Sequence, residues 1–351
     1  MDVKAKFDAL KGRGDTVILG IESSCDETAA AVYGGGRILS SIISSQIELH
    51  RRFGGVVPEI ASRNHTLALP HIVDEALKAA GIGLKDVDAV GVTYGAGLIG
   101  ALLVGVSSAK ALAYAAEKPL IKVNHIEAHI CANYIENRDL KPPFLALVAS
   151  GGHTSIIKVA GYNDYELIGS TTDDAIGEAF DKVARLLGLG YPGGPKIDEL
   201  SRRGTPSIEF CKKKKQVADM RLSYSGLKTA VVNYVHNASQ RGEELPLADV
   251  CASFTREAVD PLVELVAEAA RRGGFSTVAL AGGVASNGYL RESMKRAGEK
   301  YGFDVVMPSP IYCTDNGAMV ACRAFFSALE GRNFAGLDLN PESNLRVGGA
   351  I

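Results

Sequence analysis

Two histidines four residues apart, His125 and His129 in NHIEAH (124–129), are the side chains best placed to do chemistry. On a helix this spacing puts both imidazoles on one face, one turn apart, where both can ligate one ion. Zinc proteases carry a similar pair, with a glutamate directly after the first histidine. Here Glu127 comes one place later, and at 100° per residue it points roughly 200° away from His125. It is expected to miss a metal-bound water and to hold a neighbouring stretch of chain or support a ligand instead. Taken alone, such a pair is more often a chance or surface feature, so a third donor is required. CTDNGAM (313–319) offers Asp315, expected at a strand-to-helix junction in the second half of the chain. Two histidines and a carboxylate leave coordination positions open, the pattern of a catalytic iron or zinc centre. With ligands so far apart in sequence, the ion is expected to tie two lobes together.

Small glycine-rich turns after strands are the second chemical feature. Without Cβ, backbone N–H groups can approach an anion closely, and a following helix adds its positive end. Ser150-Gly151-Gly152-His153-Thr154, Gly193-Gly194-Pro195 and Gly282-Gly283-Val284-Ala285-Ser286-Asn287 qualify. Each alone is equally a hairpin turn, but together they point to a nucleotide. Gly95, Gly97 and Gly100 match the dinucleotide fingerprint in spacing. The next strand, however, ends in Asn124 and His125 rather than the acid that would hold a ribose, so close helix packing is the expected reason for these glycines. No Gly-Lys-Ser/Thr sequence occurs, which excludes a P-loop.

The elements that must carry these residues alternate. VILGIE (17–22), TAAAVY (28–33), RILSSIISSQI (37–47), DAVGVTYG (88–95) and LIKVNH (120–125) read as strands. VPEIASRNHTLALPHIVDEALKAAG (57–81) and GLIGALLVGVSSAKALAYAAE (97–117) read as helices. This is α/β organisation around a sheet. FLALVASGGHTSIIKVA (144–160) repeats the plan of VILGIESSCDETAAAVY (17–33), and TVALAGGVASNG with DVVMPSP continues it. A duplicated pair of lobes enclosing a ligand cleft is expected. Its parts are an N-terminal extension at 1–15, a first lobe at 16–140 and a second lobe at 141–351 with a mainly helical insertion at about 173–245.

The 351 residues are 46% hydrophobic and 22% charged with 39 glycines, a folded composition. The N-terminal MDVKAKFDALKGRGD lacks the apolar core of a secretory signal. The apolar stretch 98–116 contains Ser107, Ser108 and Lys110, so a packed helix rather than a membrane span is expected. Six scattered cysteines fit reduced thiols in the cytoplasm. A net charge of −2 neither indicates nor excludes nucleic acid.

ESSCDET (22–28), GGVVPEIASRNH (54–65), NHIEAH, SGGHT (150–154), DDAIGEAFDKVARLLGLGYPGGP (173–195), SGLKT (225–229), AGGVASN (281–287) and CTDNGAM occur in order. With them the chain resembles, from about Val17 to its C-terminus, the TsaD (YgjD/Gcp) family of bacterial tRNA N6-adenosine threonylcarbamoyltransferases. The resemblance implies the duplicated actin/Hsp70/sugar-kinase (ASKHA) fold with a nucleotide cleft between lobes. It implies transfer of a threonylcarbamoyl group from threonylcarbamoyl-AMP to N6 of the adenosine 3′ of the anticodon, in tRNAs reading codons that begin with A. His125, His129 and Asp315 match the family's ligands for a metal, Fe(II) or Zn(II). Val148, Ala149, Ser150, Gly151, Gly152, Asp181, Gly194, Asp198 and Asn287 match its contacts to the adenylate, with ATP or ADP as related ligands. Asp181 or Asp198 would accept from ribose hydroxyls; by itself Asp181 would read as an exposed helix carboxylate.

Asp26 and Glu27 are the carboxylates first suspected of general-base work, with a turn or cap role as the plain alternative. Implied partners besides tRNA are TsaB, a lobe-like paralogue that pairs through the N-terminal lobe, and the ATPase TsaE; no membrane is implied. Ala96 departs from the family's usual proline. Lys212 to Lys215 could touch tRNA phosphates, although a solvated charge run is the ordinary reading. Two rival classes are a metallopeptidase, which needs a glutamate beside the bound water, and a kinase or ATPase switch, which needs no histidine pair.

Overall fold

A computed structural model of the chain describes residues 2–211 and 220–349. Lys212 to Lys215 lie outside the described residues. The elements divide between two compact units. The first comprises Met1–Pro142, Ala160–Glu166 and Ile311–Ile351; the second comprises Pro143–Val159 and Leu167–Pro310. The last helix thus belongs to the first unit and not to the second lobe expected at 141–351.

The first half of the chain runs α1 (Val3–Asp8), β1 (Val17–Glu22), β2 (Glu27–Gly34), β3 (Arg37–Ser45), α2 (Ile47–Arg51), α3 (Pro58–Ala79), β4 (Ala89–Gly95), α4 (Ile99–Ala115), β5 (Leu120–Asn124) and α5 (His125–Glu136). The second half runs β6 (Phe144–Ala149), β7 (Thr154–Gly161), β8 (Asp164–Thr171), α6 (Ile176–Leu186), α7 (Gly193–Ser201), β9 (Arg221–Leu222), α8 (Ser225–Gln240), α9 (Leu247–Gly273), β10 (Thr277–Ala281), α10 (Gly288–Tyr301), β11 (Asp304–Val306), α11 (Pro310–Cys313), α12 (Gly317–Glu330) and β12 (Phe334–Ala335). The two sheets are ordered β12-β5-β4-β1-β2-β3 and β11-β10-β6-β7-β8-β9.

In each sheet a strand pairs antiparallel with its successor on one side and parallel with a later strand on the other. For β1 these partners are β2 and β4; for β6 they are β7 and β10. The repeat seen in the sequence is therefore a repeat of sheet topology. Among the described residues, 173–245 holds α6, α7, β9 and α8.

Period-two alternation decides what packs on the first sheet. Leu19, Ile21, Val90 and Val92 face one side, where they join Leu69, Val73 and Ala76 of α3 and Val106, Ala109 and Ala113 of α4 in one core. By length and composition alone α4 would pass for a membrane span, but Ala101, Leu102, Gly105 and Val106 are covered. Ile99, Leu103 and Tyr114 of α4 and Leu67 of α3 remain exposed.

The intervening positions of the same strands are glycines, and α12 lies on them. A Cβ at Gly20 would sit 2.4 Å from the backbone nitrogen of Ala321, and one at Gly91 would sit 2.5 Å from Ala324 Cβ. The approach is mutual, since a Cβ at Gly317 would fall 2.6 Å from the Ala30 carbonyl carbon. Cores do not yield to an added methyl at such distances. Gly20→Ala should therefore cost about 1–3 kcal/mol in urea unfolding. Gly14→Ala, at a position with open space around it, should stay within about 0.5 kcal/mol of the parent.

Candidate metal centre and adenylate cradle

β5 runs directly into α5, and Asn124 makes the junction. Its side-chain oxygen accepts from the N–H groups of Ile126 (2.9 Å) and Glu127 (3.3 Å), satisfying donors that a helix start leaves open. His125 and His129 then occupy the first turns with ring centroids 4.6 Å apart. Asp315 lies between α11 and α12, immediately before Asn316, which caps α12 by accepting from Met319 N–H at 2.8 Å. Asp315 Oδ1 is 3.1 Å from His129 Nε2 and 3.6 Å from His125 Nε2.

Two donors each about 2.1 Å from a metal, at tetrahedral or octahedral angles, lie about 3.0–3.4 Å apart. The His129 distance fits a shared ion, and the His125 distance lies about 0.2 Å beyond that range. The buried Nε2 of His129 makes no hydrogen bond although Asp315 Oδ1 lies 3.1 Å away, as suits an atom aimed at a shared ion. All three ligands belong to the first unit. The expectation that Asp315 comes from the second lobe, so that the ion ties two lobes together, is thereby corrected. The chain returns to its first unit after residue 310, and α12 packs on β1, β2 and α5.

A carboxylate overlooked in the sequence completes the centre. Glu22, fully buried at the end of β1, accepts from Ser24 N–H at 2.5 Å and Thr93 Oγ1–H at 2.7 Å. Its Oε2 lies 3.2 Å from His125 Nδ1, with Ser24 Oγ at 3.1 Å. Binding the Nδ1 proton leaves Nε2 free to ligate, the usual support for a metal-bound imidazole. Burial opposes the charge on Glu22, but His125 and the Thr93 hydroxyl outweigh it and hold the carboxyl below its ordinary value. Burial likewise opposes protonation of His125, yet Asp315 and Glu22 prevail and raise its pKa to about 9.

The loop carrying Asp26 is held by His65 of α3, a second residue overlooked in the sequence. His65 Nε2–H donates to the Cys25 carbonyl at 2.8 Å, which leaves Nδ1 to accept from Thr28 Oγ1–H at 2.8 Å. Glu22 lies in ESSCDET and His65 in GGVVPEIASRNH. Only their partners, far along the chain, give them a role. Asp26 is buried and its carbonyl accepts from Gln46 N–H. Glu27 accepts from the Ser45 hydroxyl at 3.1 Å, and its pKa is pushed up to about 9 by burial, then by Asp315 and Asp26. Burial, then Asp26, Asp315 and Glu27, pushes the Cys25 thiol well above its ordinary value, so this loop offers no thiolate. Glu127 turns away from the two histidines onto Arg323, at 2.9 and 2.7 Å.

The other candidate contacts all fall in the second unit. Val148 and Ala149 end β6, and Ser150-Gly151-Gly152 forms the turn into β7, closed by Ser150 N–H to the His153 carbonyl at 2.8 Å. Glycines let neighbouring backbone crowd this turn: a Cβ at Gly282 (φ 86°) would lie 2.5 Å from the Ala149 carbonyl, and one at Gly177 2.5 Å from that of Ser150. Space is open at Gly151, Gly152, Gly194 and Gly283, where a Cβ would meet nothing within 4 Å. Asp181 is no free helix carboxylate; it accepts from Gly193 N–H at 2.7 Å at the start of α7. Asp198 accepts from Gly288 N–H at 3.1 Å, next to Asn287, which caps α10 through Leu290 N–H. Glycines with open space where a Cβ would stand let a ligand's phosphate approach the backbone closely; Asp198 also pairs with Arg202 at 2.5 Å.

The raised pKa of His125 fixes a sign. Its stabilising contribution to the metal-free chain is complete below pH 6.5, the ordinary histidine value, and is lost as pH rises through about 9. NMR of the metal-free chain should show His125 titrating near 9, Glu22→Gln should lower that midpoint, and metal uptake below it should release a proton.

The family model described as TsaD, tRNA N6-adenosine threonylcarbamoyltransferase, matches residues 37–322. A relative from Clostridium perfringens (strain SM101 / Type A) bearing the name tRNA N6-adenosine threonylcarbamoyltransferase is 54% identical over 334 residues, covering 95% of this chain and 98% of the relative. Among solved structures, T. kodakarensis HypF aligns with a TM-score of 0.62 at 16% identity, over 90% of this chain and 47% of that one. Component A of the Acidaminococcus fermentans (R)-2-hydroxyglutaryl-CoA dehydratase aligns with a TM-score of 0.56 at 15% identity, over 89% and 99%. Identities this low speak to fold alone, and the fold is the duplicated α/β ASKHA type. By the family model and by identity over nearly its whole length, the chain belongs to the tRNA N6-adenosine threonylcarbamoyltransferase family.

Proposed function

We propose that this protein transfers a threonylcarbamoyl group from threonylcarbamoyl-AMP to N6 of the adenosine 3′-adjacent to the anticodon, in tRNAs reading codons that begin with A. Family membership sets the reaction type, and the convergence of His125, His129 and Asp315 in one unit is the observation that carries the metal dependence. Fe(II) is the first candidate ion and Zn(II) the second, both compatible with two imidazoles and a carboxylate. When bound, the ion would supply Lewis acidity toward the carbamoyl carbonyl or the adjacent phosphate.

The chain's own residues would do the rest. The open glycines 151, 152, 194 and 283 present backbone N–H groups to the adenylate, and Asp198 accepts from its ribose hydroxyls. The adenylate ligand is threonylcarbamoyl-AMP, with ATP or ADP as lesser ligands of the same cradle. The attacking amine of adenosine needs a base. Asp26 and Glu27 of the same loop are the carboxylates proposed for that role, and Asp26 is the one tested first. A peptidase reading has no support, because Glu127 is committed to Arg323.

tRNA is the macromolecular substrate. The exposed apolar residues Leu67, Ile99, Leu103 and Tyr114 on α3 and α4 are suited to pairing with the lobe-like paralogue TsaB, the ATPase TsaE being the second partner. The work is placed in the cytoplasm, without a membrane.

Purified chain, TsaB, TsaE, tRNA and threonylcarbamoyl-AMP should yield threonylcarbamoyl-adenosine on mass spectrometry of digested nucleosides; none, with active partners, would sink the proposal. His125→Ala and Asp315→Asn should lose both metal and transfer. Asp26→Ala should keep the metal and slow transfer by roughly 10²–10⁴-fold. Full activity in that variant would remove Asp26 from the base role.

A further inference from the structure

The Glu127–Arg323 ion pair is buried, with side-chain exposures of 11% and 2%. Arg323 of α12 donates through Nε and Nη2 to Glu127 Oε2 and through Nη1 to Asn163 Oδ1 and Ser327 Oγ, both at 2.7 Å. Its guanidinium also lies 5.3 Å from the Tyr165 ring centroid. The other Glu127 oxygen faces the Gly348 N–H at 3.4 Å. Glu127 stands two residues from each histidine, and α12 begins two residues after Asp315. The pair therefore joins the helix that carries two of the ligands to the helix that the third one introduces.

Packing alone does not ask for it. Buried ion pairs replaced by apolar residues of similar volume are often no less stable, whereas directional charged groups fix geometry. Metal coordination tolerates only about 0.2 Å of ligand displacement, so the register of α12 on α5 is the quantity at stake.

We propose that Glu127 and Arg323 are positioning residues for the metal triad, setting the distance at which α12 presents Asp315 to His125 and His129. The proposal rests on the metal reading given above. The pair also carries no net charge, so it anchors the ligands without repelling an incoming dication. Glu127, misplaced for a peptidase, is correctly placed to lock the ligand helix to its neighbour.

Titration of metal-free protein with Co(II), followed by its d–d absorption, separates the possibilities. Wild type should bind one equivalent; if it binds none, both the metal reading and this proposal fall. Arg323→Lys keeps the buried charge but loses the planar fork, and Glu127→Gln with Arg323→Met removes both charges together. Each variant, shown to be folded by circular dichroism, should bind Co(II) about 10–100-fold more weakly with a shifted band. Wild-type affinity and an unchanged band in either folded variant overturn the proposal, and if the double variant does not fold, Arg323→Lys decides alone.

Discussion

The close seating of α12 on the glycines of β1 and β4 is the constraint on which the first unit depends. Gly20 and Gly91 leave no room for a Cβ beneath Ala321 and Ala324, so the helix lies directly on the backbone of the sheet. This contact returns residues after 310 to the unit built by the first 142. It carries Asp315 to the end of the helix that faces His129 and brings Arg323 against Glu127. Without that depth of approach, a carboxylate nearly two hundred residues away would have no fixed distance from two imidazoles.

Around the triad, polar groups are arranged in layers of support. Glu22 orients His125, and Ser24 and Thr93 hold Glu22. His65 ties the Cys25 carbonyl to α3 and so steadies the loop that bears Asp26. Buried charges are tolerated here because each has a partner. Two groups are thereby moved far from their ordinary titration: His125 and Glu27 both rise to about 9, the first through carboxylates and the second through burial first. The second unit uses another device, in which glycines remove bulk on one side of the Ser150 turn and leave open space on the other.

What the sequence by itself determined was local or periodic. The alternation of apolar runs set the strands, the four-residue spacing put both histidines on one helix, and the repeated strand-turn-strand plan matched the repeated sheet topology. Small turns at 150–152, 193–194 and 282–287 announced themselves by composition, and at Gly193 and Gly282 glycine is needed because neighbouring chain comes close. Tertiary structure alone decided which unit owns Asp315, that Glu22 and His65 serve the site, and that Glu127 meets Arg323. The reason is physical: each of these depends on which residue a helix meets across a sheet or another helix, and no periodicity along one strand or helix encodes the partner on the other side.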